Sequence, residues 1–241
     1  MIEAINIKKN FGKKKVLQNI SFRINNGTIY GIVGTNGVGK TTLLKIISGM
    51  TKPSEGYIKI SNNNESSSGN SKNQIGFVPD TTALYDYLTG EEYLYFAANI
   101  LGLSKEQSTT MINKLLHDFN LFHSKDQLIS NYSNGMKQKI SIAAALISHP
   151  DILLLDEPLT GVDMISSNII KDHLKNLCSE GKTVILTTHM LELAHNICHK
   201  IGIVHEGILV TEFDVKDFSI KELEIKIKDI YLNEVNKEIN Y

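Results

Sequence analysis

Gly34-Thr35-Asn36-Gly37-Val38-Gly39-Lys40-Thr41-Thr42 decides how this chain is read. The stretch fits G-x-x-x-x-G-K-[ST], the pattern of a phosphate-binding loop, or P-loop. Before it, Ile29-Tyr30-Gly31-Ile32-Val33 is a short apolar run of β type. After it, Leu43, Leu44, Ile46 and Ile47 recur at helical spacing as far as Gly49, a residue suited to ending a helix. Strand, glycine loop and helix is the order that phosphate binding requires. Gly34, Gly37 and Gly39 let the backbone curl with its N–H groups inward, and the helix adds the positive end of its dipole. Lys40 reaches β- and γ-phosphates, and the Thr41 hydroxyl is a ligand for Mg²⁺. Asn36, Val38 and Thr42 fill out the same loop. A nucleotide site with Mg²⁺ is expected.

The chain around the loop has 241 residues, enough for one large α/β domain with room for an inserted subdomain. A formal net charge of −1 gives no electrostatic case for nucleic acid. Two cysteines, Cys178 and Cys198, do not make a disulfide scaffold and suit a reducing compartment. The N-terminal residues Met1 to Ile7 alternate like a strand and lack the apolar centre of a signal peptide. No apolar run nears the roughly 18 residues of a membrane span. A cytoplasmic protein is expected.

In chain order, residues 2–7 read as a strand, Lys8–Lys15 as a turn and Val16–Ile24 as a second strand, with Asn25-Asn26-Gly27 turning into the strand that feeds the P-loop. Lys13-Lys14-Lys15 reads as a solvated hairpin tip. Phe11 has two readings, a core aromatic or a ring placed to stack on a base. Ser61–Gln74 is a polar excursion between strands, and Ile75–Val78 is a strand broken by Pro79-Asp80. From about Thr82 to Ile147 the apolar period turns helical, with Tyr93, Leu94, Phe96, Ala97 and Ile100 on one expected face. Met111, Leu115 and Phe119 then follow, and a third apolar helix runs from Ile140 to Ile147. Strand–helix alternation resumes with strand Ile152–Leu155, helix Ser166–Cys178, strand Thr183–Thr187, helix Met190–Lys200 and strand Ile201–Val204, which implies a parallel sheet faced by helices.

A second site lies at Ile152-Leu153-Leu154-Leu155-Asp156-Glu157, an apolar strand ending in two carboxylates. Downstream of a P-loop, that pattern makes Asp156 a Mg²⁺ ligand of Walker B type and Glu157 the group that orients the water attacking the γ-phosphate. His195, Cys198 and His199 share a helical spacing that would also suit zinc, although ordinary packing accounts for them.

The chain resembles, nearly end to end, the nucleotide-binding subunit of an ATP-binding cassette (ABC) transporter, in the bacterial export-type form. The deciding residues are Tyr132-Ser133-Asn134-Gly135-Met136 with Lys137-Gln138-Lys139, which resemble the family signature and sit just before the Walker B strand. The resemblance implies an α/β fold: a P-loop NTPase core with a mainly parallel sheet, an N-terminal antiparallel β part and an inserted all-helical subdomain. It places the core at about 1–81 and 148–215, the helical signature subdomain at about 82–147 and a short C-terminal extension at 216–241.

By the same resemblance Phe11 takes the place of the adenine-stacking aromatic, Asp80 stands where the Q-loop carries glutamine, Asp163 is the acid of the D-loop, and His189 contacts the γ-phosphate. Two subunits are then expected head to tail, with Ser133, Asn134, Gly135 and Met136 of each facing the partner's ATP. The implied function is an ATPase that drives efflux through separately encoded transmembrane permease subunits. It would act as a homodimer or with another ABC ATPase, peripheral on the inner face of the cell membrane. A soluble, non-transport ABC ATPase, such as an iron–sulfur assembly component, is the alternative.

Overall fold

The computed structural model describes residues 1–61, 75–81 and 84–239, with side chains described as far as residue 229. The polar excursion expected up to Gln74 lies, past Ser61, outside the described residues, as do the expected start of the helical block at Thr82 and the last two residues of the C-terminal extension. The chain divides into two compact units, Met1–Asn63 with Ile185–Tyr241, and Asn64–Val184.

The first unit carries β1 (Ile2–Phe11), β2 (Lys14–Ile24), β3 (Ile29–Val33), α1 (Lys40–Ile47) and β4 (Glu55–Ile60). From the C-terminal half of the chain it adds the end of β7 (Thr183–Thr188), α6 (Leu191–Ile197), β8 (Lys200–His205), β9 (Ile208–Asp214) and α7 (Ile220–Ile239). Its strands run in the order β4-β1-β2-β9-β8-β3-β7. β1 pairs antiparallel with both β2 and β4, and Ile2, Ala4 and Ile7 are buried along it. Phe11 lies opposite Lys14, so the connecting turn is only Gly12-Lys13, with Gly12 at φ 59°. The turn expected over Lys8–Lys15 is therefore much shorter, because the ladder carries on through polar residues that alternation alone does not mark. Closer to the centre, β3 is buried throughout and pairs parallel with β8, which is the pattern of a strand covered on both faces. Gly49, at φ 79° just past the Ser48 cap, ends α1 in the left-handed conformation expected there.

Two elements depart from expectation. The helix expected over Met190–Lys200 is α6, Leu191–Ile197, and Cys198 leaves it with an extended backbone. His199 gives its N–H to no helix: its amide bonds the Ile29 carbonyl while its Nδ1 accepts from the Ile29 N–H at 2.9 Å, so these residues lead into β8 instead. β9 follows a tight turn and pairs antiparallel with β8, a strand the alternating pattern did not disclose because its residues are half-exposed and mixed in polarity.

A polar contact lies under this sheet. Tyr30, fully buried on β3, stacks on Phe22 with ring centroids 5.4 Å apart and donates its hydroxyl to Glu212 Oε1 at 2.8 Å. Glu212 also pairs with Lys200 at 3.0 Å. Burial, and then the Glu212 carboxylate, push the Tyr30 phenol well above its usual range.

The second unit holds β5 (Ile75–Val78) and β6 (Ile152–Asp156), paired parallel with Val78 opposite Leu155, and the helices α2 (Gly90–Ile100), α3 (Lys105–Asp118), α4 (Asn134–Leu146) and α5 (Met164–Ser179). Among the described residues no strand element lies between Val78 and Ile152, as the helical period implies. Thr89 with Glu92 and Ser104 with Gln107 form capping boxes that start α2 and α3. The buried face of α2 is Gly90, Leu94 and Ala98, one turn apart. Phe96 and Ile100, expected on that face, are 37% and 70% exposed; Phe96 instead packs edge-on against Tyr85 at 5.0 Å.

The polar contact under the first sheet yields a prediction. Tyr30→Phe removes the donor to Glu212 and should cost about 1–3 kcal/mol, read as a lower urea midpoint. An unchanged midpoint would show that Glu212 is satisfied without the phenol.

Candidate functional site

The P-loop is shaped by crowding. Gly39 caps α1 at φ 105°, and a Cβ there would lie 2.6 Å from Leu17 Cδ2 and 3.0 Å from the Val16 carbonyl. A Cβ on Gly34 would lie 2.4 Å from the Val204 carbonyl, and Gly37 takes φ 84°. Crowding opposes a side chain at Gly34 and Gly39; at Gly37 there is space, and only the positive φ disfavours one. Lys40 is 6% exposed and donates to the carbonyl oxygens of Gly34, at 2.7 Å, and Thr35, at 3.2 Å. Thr35, Asn36, Gly37 and Thr41 are exposed, and no side chain caps the first amides of α1. An anion arriving at this helix end meets N–H groups and an ammonium whose partners in the loop are neutral.

Two further residues are carried to the loop by the backbone. The Gly34 N–H donates to the Thr188 carbonyl at 3.3 Å, so His189, exposed and next in sequence, stands at the loop's entrance. Phe11 is 55% exposed, which removes the core reading. It lies opposite Lys14, and Lys14 is two residues, or about 7 Å of strand, from the Val16 carbonyl that abuts Gly39. Lys9 Nζ lies 4.9 Å from the Phe11 ring centroid.

The second unit assembles the acidic residues. Asp156 ends β6 and is 1% exposed. Glu157 follows it at φ 49°, a left-handed backbone that a glutamate seldom takes. Asp80 is exposed and lies two residues beyond Val78, whose partner Leu155 is two residues before Glu157. α4 begins at the expected signature: Ser133 caps it, accepting from the Met136 N–H at 3.2 Å, and leaves Ser133 and Asn134 exposed. Gly135 is buried against α5, where a Cβ would lie 2.4 Å from Asp163 Oδ2 and 2.5 Å from Ser166 Oγ. Asp163 caps α5 by accepting from the Ser166 N–H at 2.9 Å. That bond, and then the Ser166 hydroxyl, hold its carboxyl below the usual range. One turn past Gly135, Lys139 is 5% exposed, and burial lowers its ammonium while Asp163 opposes the shift. The signature and the D-loop acid thus meet on one packed surface. The sequence marked them as separate motifs; the requirement for glycine at 135 was the signal that they touch.

The zinc alternative at His195, Cys198 and His199 gives way to ordinary bonds. His199 accepts from Ile29, His195 Nε2 bonds the Phe218 carbonyl at 3.0 Å, and among the described residues no group of three His, Cys, Asp or Glu side chains could hold a metal ion.

The ABC transporter family model matches residues 17–160. The chain belongs to the ABC transporter family. Among curated relatives, the Nod factor export ATP-binding protein I of Burkholderia lata is 34% identical over 212 residues, spanning 88% of this chain and 70% of the relative. The linearmycin resistance ATP-binding protein LnrL of Bacillus subtilis is 36% identical over 211 residues, spanning 87% and 68%. Among solved structures, the ATP-binding subunit of an ABC transporter superposes with TM-score 0.81 at 27% identity, covering 95% of this chain and 99% of that one. A dimeric post-hydrolysis cassette bound to ADP and phosphate superposes with TM-score 0.78 at 27% identity, covering 90% and 100%. This ABC protein is an ATP-binding ATPase with the P-loop NTPase fold.

Gly39→Ala should cost on the order of 1–3 kcal/mol of stability and weaken ATP binding at least tenfold, checked by thermal melting and nucleotide titration. Wild-type affinity would mean that the crowding at Val16 is not needed to shape the loop.

Proposed function

We propose that this chain is the ATP-hydrolysing subunit of an export-type ABC transporter, working through separately encoded permease subunits. The name of one relative, a Nod factor export ATP-binding protein, supports an outward direction, and a linearmycin resistance ATP-binding protein is compatible with it. Among the described residues no helix is long and apolar enough to cross a membrane. In this reading the chain acts from the inner membrane face, attached through the permease. These relatives favour transport over an iron–sulfur assembly role.

One observation carries the head-to-tail pairing. Beside Asp163, Met164 and Ile165 are 80% and 74% exposed, next to the solvent-facing Ser133–Asn134 end of α4. Exposed apolar groups flanking an exposed helix N-terminus suit a surface that another ATPase covers, with a phosphate held between. The partner is a second copy or a related ATPase.

In the proposed mechanism the P-loop amides and Lys40 bind the β- and γ-phosphates, and Phe11 stacks on the adenine. Thr41, with an exposed hydroxyl, and Asp156, a buried acid at a strand end, are the chemically suitable ligands for Mg²⁺. When bound, Mg²⁺ neutralises charge developing on the transferred phosphoryl group. Glu157 accepts the proton of the attacking water, and His189 donates to the γ-phosphate. Ser133 and the Gly135 amide approach the partner's nucleotide, so closure excludes water and hydrolysis releases the two halves. Asp80, shorter than glutamine and anionic, would suit a water-mediated contact with the metal.

Glu157→Gln should lower kcat for ATP by about 10²–10⁴-fold and leave ATP binding intact. It should accumulate an ATP-dependent dimer on size exclusion with light scattering. Adding Met164→Glu and Ile165→Glu should return that species to monomer while it still binds nucleotide. Normal turnover by Glu157→Gln would remove Glu157 from its role; a persistent dimer after the double charge would move the interface elsewhere.

A further inference from the structure

The segment from Glu157 to Asp163 is a built piece of backbone. Pro158 and Leu159 are buried and pin it, while Glu157 is half-buried and Thr160 exposed. Glu157 holds φ 49°, and the Thr160 N–H closes the turn onto the Glu157 carbonyl at 3.2 Å. The same threonine reaches back with its side chain, Oγ1 donating to Glu157 Oε2 at 3.2 Å. Gly161 follows at φ 70°, the Val162 N–H bonds the Leu159 carbonyl at 3.4 Å, and the Asp163 cap fixes the far end to α5.

We propose that Thr160 is a positioning residue for hydrolysis, fixing both the backbone turn and the carboxylate orientation of Glu157. This inference rests on Glu157 being the group that accepts the proton from water. A glutamate has three side-chain torsions, and a base must present one oxygen lone pair to the water within hydrogen-bond reach. The Thr160 hydroxyl, by bonding Oε2, restricts how the carboxylate can turn. The backbone bond keeps the left-handed turn from relaxing, which would swing the Cα–Cβ direction of Glu157 away from the end of β6. A hydroxyl is what this position needs, and a methyl of the same shape fails. The effect belongs to kcat, since Thr160 touches no group proposed to bind nucleotide.

The test compares Thr160→Val, Thr160→Ser and Glu157→Gln, singly and combined, in steady-state ATPase assays with nucleotide titration and thermal melting. Thr160→Val should lower kcat about ten- to a hundredfold, as expected for losing a hydrogen bond to a charged group, with KM and ATP affinity within about twofold. Thr160→Ser should restore most of the rate. In the Glu157→Gln background Thr160→Val should have no further effect on the residual rate, because it acts through the carboxylate.

A wild-type kcat for Thr160→Val, alongside a dead Glu157→Gln, overturns the inference and leaves the catalytic reading standing. Normal turnover by Glu157→Gln sinks both. An additive loss in the double variant, or a fall in affinity equal to that in rate, assigns Thr160 a merely structural role and also overturns it. If Thr160→Val melts early, Thr160→Ala gives the same comparison without the branched side chain.

Discussion

Three lengths of backbone converge on the carbonyl of Val16. One is the P-loop at Gly39, where a Cβ would come within 3.0 Å of that oxygen. Another is the β8–β9 turn at Gly207, where a Cβ would come within 2.4 Å. The third is β2 itself, whose Gln18 N–H bonds the Gly207 carbonyl at 2.8 Å and whose Gln18 side chain reaches the Glu206 carbonyl at 2.8 Å. Only residues without a side chain let these segments close, and closure gives the loop its form. Glu206 and Gly207 both take positive φ, 46° and 74°, as a two-residue turn between antiparallel strands favours. The phosphate cradle is therefore a property of the first unit's whole sheet, with β2 and β8 acting as the walls of the mould.

That dependence explains what could be read in advance. The P-loop, the carboxylates after β6 and the signature were legible because each is a short motif whose chemistry fixes residue types at fixed spacing. Strands buried on both faces, β3 and β6, were legible as continuous apolar runs. β9 was not: the adjacent Thr211 and Glu212 break its run of mostly half-exposed apolar residues, and its pairing with β8 is set by a turn, not by hydrophobicity. The false helix end at Lys200 has a similar cause. His195, Cys198 and His199 keep a helical spacing, yet the backbone amide and ring of His199 are committed to Ile29, a partner 170 residues away in the chain. Phe11 went the other way. Its ring was ambiguous in sequence, and only the strand register, with Lys14 opposite, puts it at an exposed edge near Gly39.

The acidic half follows a different physical logic. Glycine is again required at Gly135, but here the close neighbours are side chains, Asp163 and Ser166, so the signature helix and α5 are keyed together by polar groups. A buried lysine one turn along, Lys139, adds charge to the same contact. Such a surface is costly to dehydrate unless its members remain paired. It is consequently suited to holding two motifs in fixed relation and poorly suited to letting either one drift alone. The turn at Glu157, with an unfavourable φ closed by Thr160, belongs to the same kind of construction: local conformational cost accepted where orientation matters.

Lys40 brings the two ideas together. Its ammonium is nearly buried, and the oxygens it meets at 2.7 and 3.2 Å belong to Gly34 and Thr35, the first residues of its own loop. Carbonyl dipoles offset part of the cost of burying a charge. Before nucleotide arrives the lysine braces the loop from within. In the proposed role of Lys40, a polyphosphate offers it ionic oxygens while the loop amides gain acceptors, and the backbone at Gly34 and Gly39 stays held by its close approach to Val204 and Val16. The loop can give up its internal brace without losing shape because the shape is set by crowding. Little ordering cost remains at binding, and the interaction energy of Lys40 is available to the phosphates.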